Sequence, residues 1–223
     1  ALIVARGPLV FMAGNKATVG YLSPITGLPH YSFVGGRAAA QLFALGLDAI
    51  VLVGQGAAAS YAVVSGRAPA LEVAFRSAAN LPRGQRAAYY ALVERELAGQ
   101  AEAGSVFTTG EGAQHGYRIA NLAVDGLYHA GRGGAGAVFA RFGQGLVLKG
   151  EPLDQERFFA AAGADPAFAR SPNRALSPRL ATYTARLSGQ TGGTIVKLHA
   201  TGGRRTAQDT LPAHNARQMG YEA

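Results

Sequence analysis

An α+β fold built on a duplicated, β-rich unit is what this sequence predicts, and three observations carry the prediction. Short β-branched or aromatic runs alternate with Gly/Pro turns up to about Gly150. One stretch, Asn80 to Leu97, instead spaces its apolar residues as a helix does. And a block that begins at Gly27 recurs, beginning at Gly126.

The elements follow in chain order. Strands are expected at Leu2 to Ala5, Ala17 to Leu22, Ala49 to Val53, Ser60 to Val64 and Leu71 to Phe75. The helix from Asn80 to Leu97 takes Asn80 as its cap and Pro82 in its first turn, with Leu92, Val93 and Leu97 on one face. Strands resume at Ser105 to Thr109 and Tyr117 to Val124. The glycine cluster Gly131 to Gly136 follows, with a helix starting near Gly134, and then a strand at Leu146 to Lys149. Glu151-Pro152 opens a different composition, with helices expected over Asp154 to Ala162, Asn173 to Leu187 and Thr194 to Ala200, separated or started by Pro166, Pro172 and Pro178. The expected domains are therefore 1–150, β-rich, and 151–223, a short helical segment that starts a second domain.

The repeat spans about 7–54 and 110–150. Gly27-Leu-Pro-His30, Gly35-Gly-Arg37, Leu42-Phe-Ala44, Gly46 and Ile50-Val-Leu-Val-Gly54 make the first copy. Gly126-Leu-Tyr-His129, Gly131-Arg-Gly-Gly134, Val138-Phe-Ala140, Gly143 and Leu146-Val-Leu-Lys-Gly150 make the second. Both read turn, glycine cluster, short helix, strand, glycine. Such a pair offers two similar loops to one ligand, or simply repeats a structural turn. Both readings stand at this stage.

Composition narrows the function classes. Of 223 residues 48% are hydrophobic and 15% charged, which suits a buried core rather than disorder. Cysteine is absent, so no disulfide, thiolate nucleophile or Cys-held cluster comes from this chain. The net charge of +8 is almost wholly arginine, because Lys16, Lys149 and Lys197 are the only lysines. No cationic run exceeds Arg204-Arg205, which argues against nucleic acid. The longest apolar run, Ala44 to Val53, is broken by Gly46 and Asp48, so no membrane span is expected. The chain opens without Met on Ala1-Leu-Ile-Val-Ala, a strand already under way, and upstream sequence is expected.

The most informative motif is His129-Ala-Gly-Arg-Gly-Gly-Ala-Gly136. Gly131, Gly133 and Gly136 match G-x-G-x-x-G, but Leu127-Tyr-His-Ala is a poor Rossmann strand and Glu151 lies outside any strand. The loop chemistry still suits an anion: small residues let amides converge, the helix near Gly134 adds its positive end, and Arg132 adds a planar donor fork. The histidines His30, His115, His129, His199 and His214 lack H-x-x-x-H spacing, which argues against zinc. Asp48, Asp125, Glu72, Glu94 and Glu96 read as surface or capping charges. No complete catalytic set is found.

Taken in order, Gly7-Pro-Leu9, Ser23-Pro-Ile-Thr-Gly27, Gly35-Gly36, Gly46-Leu-Asp-Ala-Ile50 with Gly54, and Ala130-Gly-Arg-Gly-Gly-Ala-Gly-Ala-Val138 resemble the tungsten-containing aldehyde:ferredoxin oxidoreductase family. Leu211-Pro-Ala-His-Asn215 through Gly220-Tyr-Glu-Ala223 is similar to the segment that leads towards that family's cluster cysteines. The resemblance implies an N-terminal domain of two intertwined repeats that cradles a tungsten or molybdenum bis-pterin beside a [4Fe-4S] cluster. Aldehyde is there oxidised to carboxylate, and electrons pass to ferredoxin or a partner. By the same resemblance Ala130, Gly131, Arg132, Gly133 and His129 fall on the loop that contacts pterin and phosphate. Gly35 and Gly36 match the first glycine pair, and Lys16 stands where the family has a cofactor-binding arginine. Phe33 and Val34 replace an Asn-Ser pair, and Tyr128-His129 replaces Arg-Ala. The resemblance further implies a cytoplasmic oxidoreductase whose cluster cysteines and remaining pterin loops lie in a missing domain or a partner chain, so that the chain alone is not expected to be active. Two alternatives stay open: a non-catalytic scaffold of such an enzyme, and a phosphate- or nucleotide-binding domain that uses the Gly131–Gly136 loop.

Overall fold

The computed structural model describes residues 1–7, 16–56 and 59–151, and they form an α+β structure of two sheets. β1 (Leu2–Arg6), β2 (Ala17–Leu22), β3 (Pro29–Val34) and β4 (Ala49–Leu52) make an antiparallel sheet in the order β3-β2-β1-β4, with α1 (Ala38–Ala44) between β3 and β4 in the chain. β7 (Ser105–Thr108), β8 (Leu122–Val124), β9 (Tyr128–Ala130), α4 (Ala135–Phe139) and β10 (Gly145–Gly150) follow the same path and pair antiparallel in the order β9-β8-β7-β10. Between the two units lie the hairpin β5 (Ser60–Arg67) and β6 (Ala70–Ser77), and the helix α2 (Gln85–Leu97). β5 joins the second sheet as the parallel neighbour of β10, and β6 forms its outer edge.

Local chemistry accounts for these elements. β2 alternates buried Ala17, Val19 and Tyr21 with outward Thr18, Gly20 and Leu22, which is the period of a strand with one covered face. β10 and β7 are buried on both faces at nearly every position and read as continuous apolar runs. α1 is alanine-rich and stops at Gly46, whose φ of +73° suits a residue without a Cβ. α2 buries Ala88, Tyr89, Leu92, Val93, Glu96 and Leu97 on one face, and ends at left-handed Ala98 with the Gly99 amide donating to the Val93 carbonyl.

One apolar cluster draws on both units: Leu2, Val4, Val19 and Val34 from the first sheet, Phe107, Leu122 and Leu148 from the second, with Leu42 of α1 and Phe139 of α4. A second cluster packs α2 against the other sheet through Tyr61, Leu92, Val93, Val106 and Val147. Among the described residues nothing covers the opposite face of the first sheet. Its cross-strand rows read Tyr31–Gly20–Ile3–Val51 and Phe33–Thr18–Ala5–Ala49, without a charge in either. Tyr31 is 65% and Phe33 60% exposed.

Several expectations need correction. α2 begins at Gln85 with Gly84 as its cap, not at Asn80, because Leu81 is drawn into the second cluster and the Pro82 carbonyl accepts from the Gln144 side chain. The expected strand from Tyr117 is confined to Leu122–Val124. Upstream, α3 (Glu111–Gln114) and bends closed by Tyr117 N–H to Gly112 and Ala120 N–H to Tyr117 take up the chain. Asp125 and Glu96, expected as surface or capping charges, are buried. The expected turns Gly27–His30 and Gly126–His129 run into strands, β3 from Pro29 and β9 from Tyr128. The helices expected beyond residue 151 lie outside the described residues.

Candidate functional site

The two glycine loops are placed reciprocally, each against the hairpin turn of the other unit. In the first loop a Cβ on Gly35 would come 2.5 Å from a ring carbon of Tyr128, and one on Gly36 (φ +87°) would meet the Asp125 carboxylate at 2.4 Å. In the second loop a Cβ on Gly133 (φ +72°) would meet the His30 ring at 2.5 Å, and Gly134 lies against Pro24 and the Arg118 carbonyl. Glycine is needed at these points because protein closes on the backbone. Gly131 differs: nothing lies within 4 Å of where its Cβ would sit.

Two hydroxyls hold the second loop from within. The Tyr21 hydroxyl donates to the Arg132 carbonyl, and Ser23 Oγ donates to the Gly133 carbonyl at 2.9 Å. In a planar trans peptide the next amide points the opposite way, so the N–H groups of Gly133 and Gly134 turn away from those hydroxyls. Burial raises the Tyr21 pKa, against smaller lowering effects from the hydrogen bonds of Ser32 and Ala135, and keeps this donor protonated. His30 packs on Tyr21 with ring centroids 5.4 Å apart.

The first loop is fixed by Asp125. Its carboxylate accepts from the Arg37 amide at 2.6 Å, the Val106 amide at 2.9 Å and Ser105 Oγ at 3.0 Å, and the Arg37 guanidinium lies 3.6 Å away. The Arg37 side chain also donates to the Gly104 carbonyl. Asp125 itself sits at φ +52°, a backbone state that Asp tolerates better than most residues.

A hollow of about 690 Å³ opens between the units, lined by Pro29, His30, Tyr31, Ser32 and Phe33 of β3 and by His129, Gly131 and Arg132 of the second loop. His129, Gly131 and Arg132 are exposed, and the Arg132 side chain has no ion-pair partner among the described residues. Tyr31 and Phe33 meet edge to face at 5.5 Å. The hollow therefore combines an unpaired guanidinium, backbone open to a guest and exposed aromatic rings. Those parts suit a planar group that carries phosphate.

Of the residues singled out from sequence, the structure brings His129, Gly131 and Arg132 to this hollow. Ala130 is buried beneath them, paired with Leu122. Gly133 is behind the lining, against His30. Gly35 and Gly36 are covered by Tyr128 and Asp125 and do not line it. Lys16 is exposed one residue before the Ala17–Val34 pair, at the end of β3 remote from Pro29. The helix end expected to help the loop is not available. α4 has five residues, and its Gly136 amide is taken by the Ala120 carbonyl. The strand that feeds the loop, β9, is an antiparallel edge, unlike a Rossmann strand. Tyr21, Ser23, His30 and Asp125 went unmarked in sequence as supports of the loops. Only the position of His30 in the repeat hinted at one of them.

No group of three or more His, Asp or Glu residues among those described could hold a metal ion, and none of the described helices is long and apolar enough to cross a membrane.

Comparison with known proteins gives two findings. A family model described as the aldehyde ferredoxin oxidoreductase N-terminal domain matches residues 1–143. Among solved structures, a chain of the "Active site complex BamBC of Benzoyl Coenzyme A reductase in complex with 1,5 Dienoyl-CoA" is similar, at 26% sequence identity and a TM-score of 0.58. That likeness covers 67% of this chain and 22% of the other, so the matched part spans under a quarter of the solved chain. No curated protein matches.

Proposed function

Because the chain belongs to the aldehyde ferredoxin oxidoreductase family through its N-terminal domain, we propose that residues 1–150 cradle part of a tungsten- or molybdenum-bis-pterin cofactor. In this reading the chain is a part or subunit of an oxidoreductase that converts aldehyde to carboxylate and passes electrons to ferredoxin or another carrier. A further domain or partner chain supplies the [4Fe-4S] cysteines and the remaining pterin loops, and the assembly is cytoplasmic.

The carrying observation is the hollow between the two units, with Arg132 unpaired at its wall and Gly131 open to a guest. The donor set fits a phosphorylated pterin. Arg132 would take the phosphate through its fork, His129 and the Gly131 backbone would border it, and Tyr31 and Phe33 offer faces to an aromatic ring. The metal held by the pterin dithiolenes would supply the redox chemistry, and this chain's contribution is to hold and orient. Lys16, Gly35, Gly36, Ala130 and Gly133 serve this reading as members of the two loops or their flanks. Arg132→Ala in the complex purified from its native cell should lower pterin retention about tenfold, the scale of one charge-assisted hydrogen bond. Tungsten and molybdenum by elemental analysis, with pterin fluorescence after oxidation, read the result. A native complex that contains neither metal nor pterin ends the proposal.

A second reading has its own support. Tyr128 closes over Gly35, and Phe33 borders the hollow where the family pattern has a polar residue. Both features suit a non-catalytic scaffold subunit that keeps the fold without the cofactor. The same metal and pterin assay separates the two readings, and binding of ATP, NAD or a flavin to the full chain, lost in Arg132→Ala, would instead favour a nucleotide site.

A further inference from the structure

Among the described residues β6 is the outer edge of the second sheet, eight residues long and paired on one side only, to β5. Edges of this kind are ordinarily blunted by proline, by charged side chains of which lysine is the commonest, or by a bulge. Ala70-Leu-Glu-Val-Ala-Phe-Arg-Ser77 has no proline, its only charges are the opposite pair Glu72 and Arg76, and its register with β5 runs unbroken from Arg67↔Ala70 to Ser60↔Ser77. The two-residue turn at Ala68-Pro69 makes Arg67 and Ala70 a hydrogen-bonded pair, and such pairs alternate along an antiparallel ladder. Glu72, Ala74 and Arg76 therefore turn their amides toward β5. Leu71, Val73 and Phe75 turn theirs to the open edge. Val73 is 56% and Phe75 75% exposed.

We propose that this edge is the interface for a second copy of the chain, formed by antiparallel pairing of β6 with its twin about a two-fold axis at Ala74. The sequence is self-complementary in that register alone of those centred near the middle of the strand. Val73 faces Phe75 of the other copy, and both have outward amides, so each such pair exchanges two hydrogen bonds. Glu72 faces Arg76 of the other copy at a non-hydrogen-bonded position, where side chains across the ladder come closest. On one face the apolar Val73 and Phe75 cover each other. On the other, opposite charges meet twice. Arg76 already directs one terminal nitrogen to Glu96, at 2.8 Å and 3.0 Å from its two oxygens, which holds its side chain in place while the rest of the fork stays free. A two-fold contact of this kind is isologous and closes at a dimer, extending the sheet across the interface.

Because the chain contains no cysteine, single cysteines report the register directly. In the full chain, Ala74→Cys should cross-link to a species of twice the 22.9 kDa chain mass under mild oxidation, since Ala74 meets its own twin. Leu71→Cys should not, since it faces Ser77. Val73→Pro removes an outward amide and leaves the β5 ladder intact. It should turn a dimer in sedimentation equilibrium into a monomer with an unchanged circular dichroism spectrum, and Glu72→Lys should weaken association at least tenfold at low salt. A chain that is monomeric at all concentrations overturns the proposal, including the case in which residues 152–223 occupy the edge and protect the Val73 and Phe75 amides from exchange. So does a dimer that survives Val73→Pro, or one that cross-links equally through Leu71→Cys.

Discussion

Tyr61 is buried, and its hydroxyl donates to the Glu96 carboxylate that Arg76 also engages. Burial, and after it the neighbouring carboxylate, raises the Tyr61 pKa above the ordinary value of 10.0. The folded protein thus holds this proton to higher pH than the unfolded chain does. Its contribution to stability is complete below about pH 10 and is lost as pH rises through the folded pKa. Tyr61→Phe should flatten that alkaline loss in denaturant titrations between about pH 9 and 11, leaving the part due to Tyr21. Equal slopes for wild type and variant would show that Tyr61 ionises alike in both states. Sequence alone gave no sign of this pair, because Tyr61 and Glu96 are brought together only by the packing of α2 on β5.

The glycine loops make a sharper contrast as elements. A Cβ on Gly136 would come 2.0 Å from the Asn121 carbonyl, so alanine there must push α4 off β8. A Cβ on Gly131 meets nothing, and its backbone angle is one that any residue adopts. Gly136→Ala should therefore cost at least about 2 kcal/mol in chemical denaturation, and Gly131→Ala under about 0.5 kcal/mol. Equal losses would mean that Gly131 is held by packing rather than left open. Elements whose signal is local were legible from sequence: β2 from its period-two alternation, β10 from its apolar run, and α4 from the glycines before it. The start of α2 was not. Asn80 is a good cap by propensity, but a buried Leu81 and an accepted bond at Pro82 outweigh the few tenths of a kcal/mol by which caps of similar quality differ. The strand expected from Tyr117 failed for a related reason, since bends closed by backbone bonds to Gly112 and Tyr117 satisfy its amides without a ladder.

At the scale of the molecule, the two units share strand order, pairing sense and helix position, and they share a core, with Leu42 and Phe139 buried in one cluster. The alternation of turn, glycines, helix and strand made the duplication visible in the sequence. The crossing of the loops was not visible there, because Tyr128 over Gly35 and His30 over Gly133 are contacts between residues about a hundred positions apart, which no spacing rule links. The same assembly places the hollow where the units meet, so that His30 from one and Arg132 from the other border it.

The charge-free outer rows of the first sheet have a practical consequence for anyone who handles this polypeptide apart from other chains. Water wets Tyr31, Phe33, Ile3 and Val51 poorly, and antichaotropic salt raises the penalty. The chain should cling to a phenyl resin at ammonium sulfate levels that release proteins of its size, and the double change Tyr31→Ser, Phe33→Ser should bring its elution forward without moving its melting temperature by more than a few degrees. Unchanged retention would mean that this side is already shielded in solution.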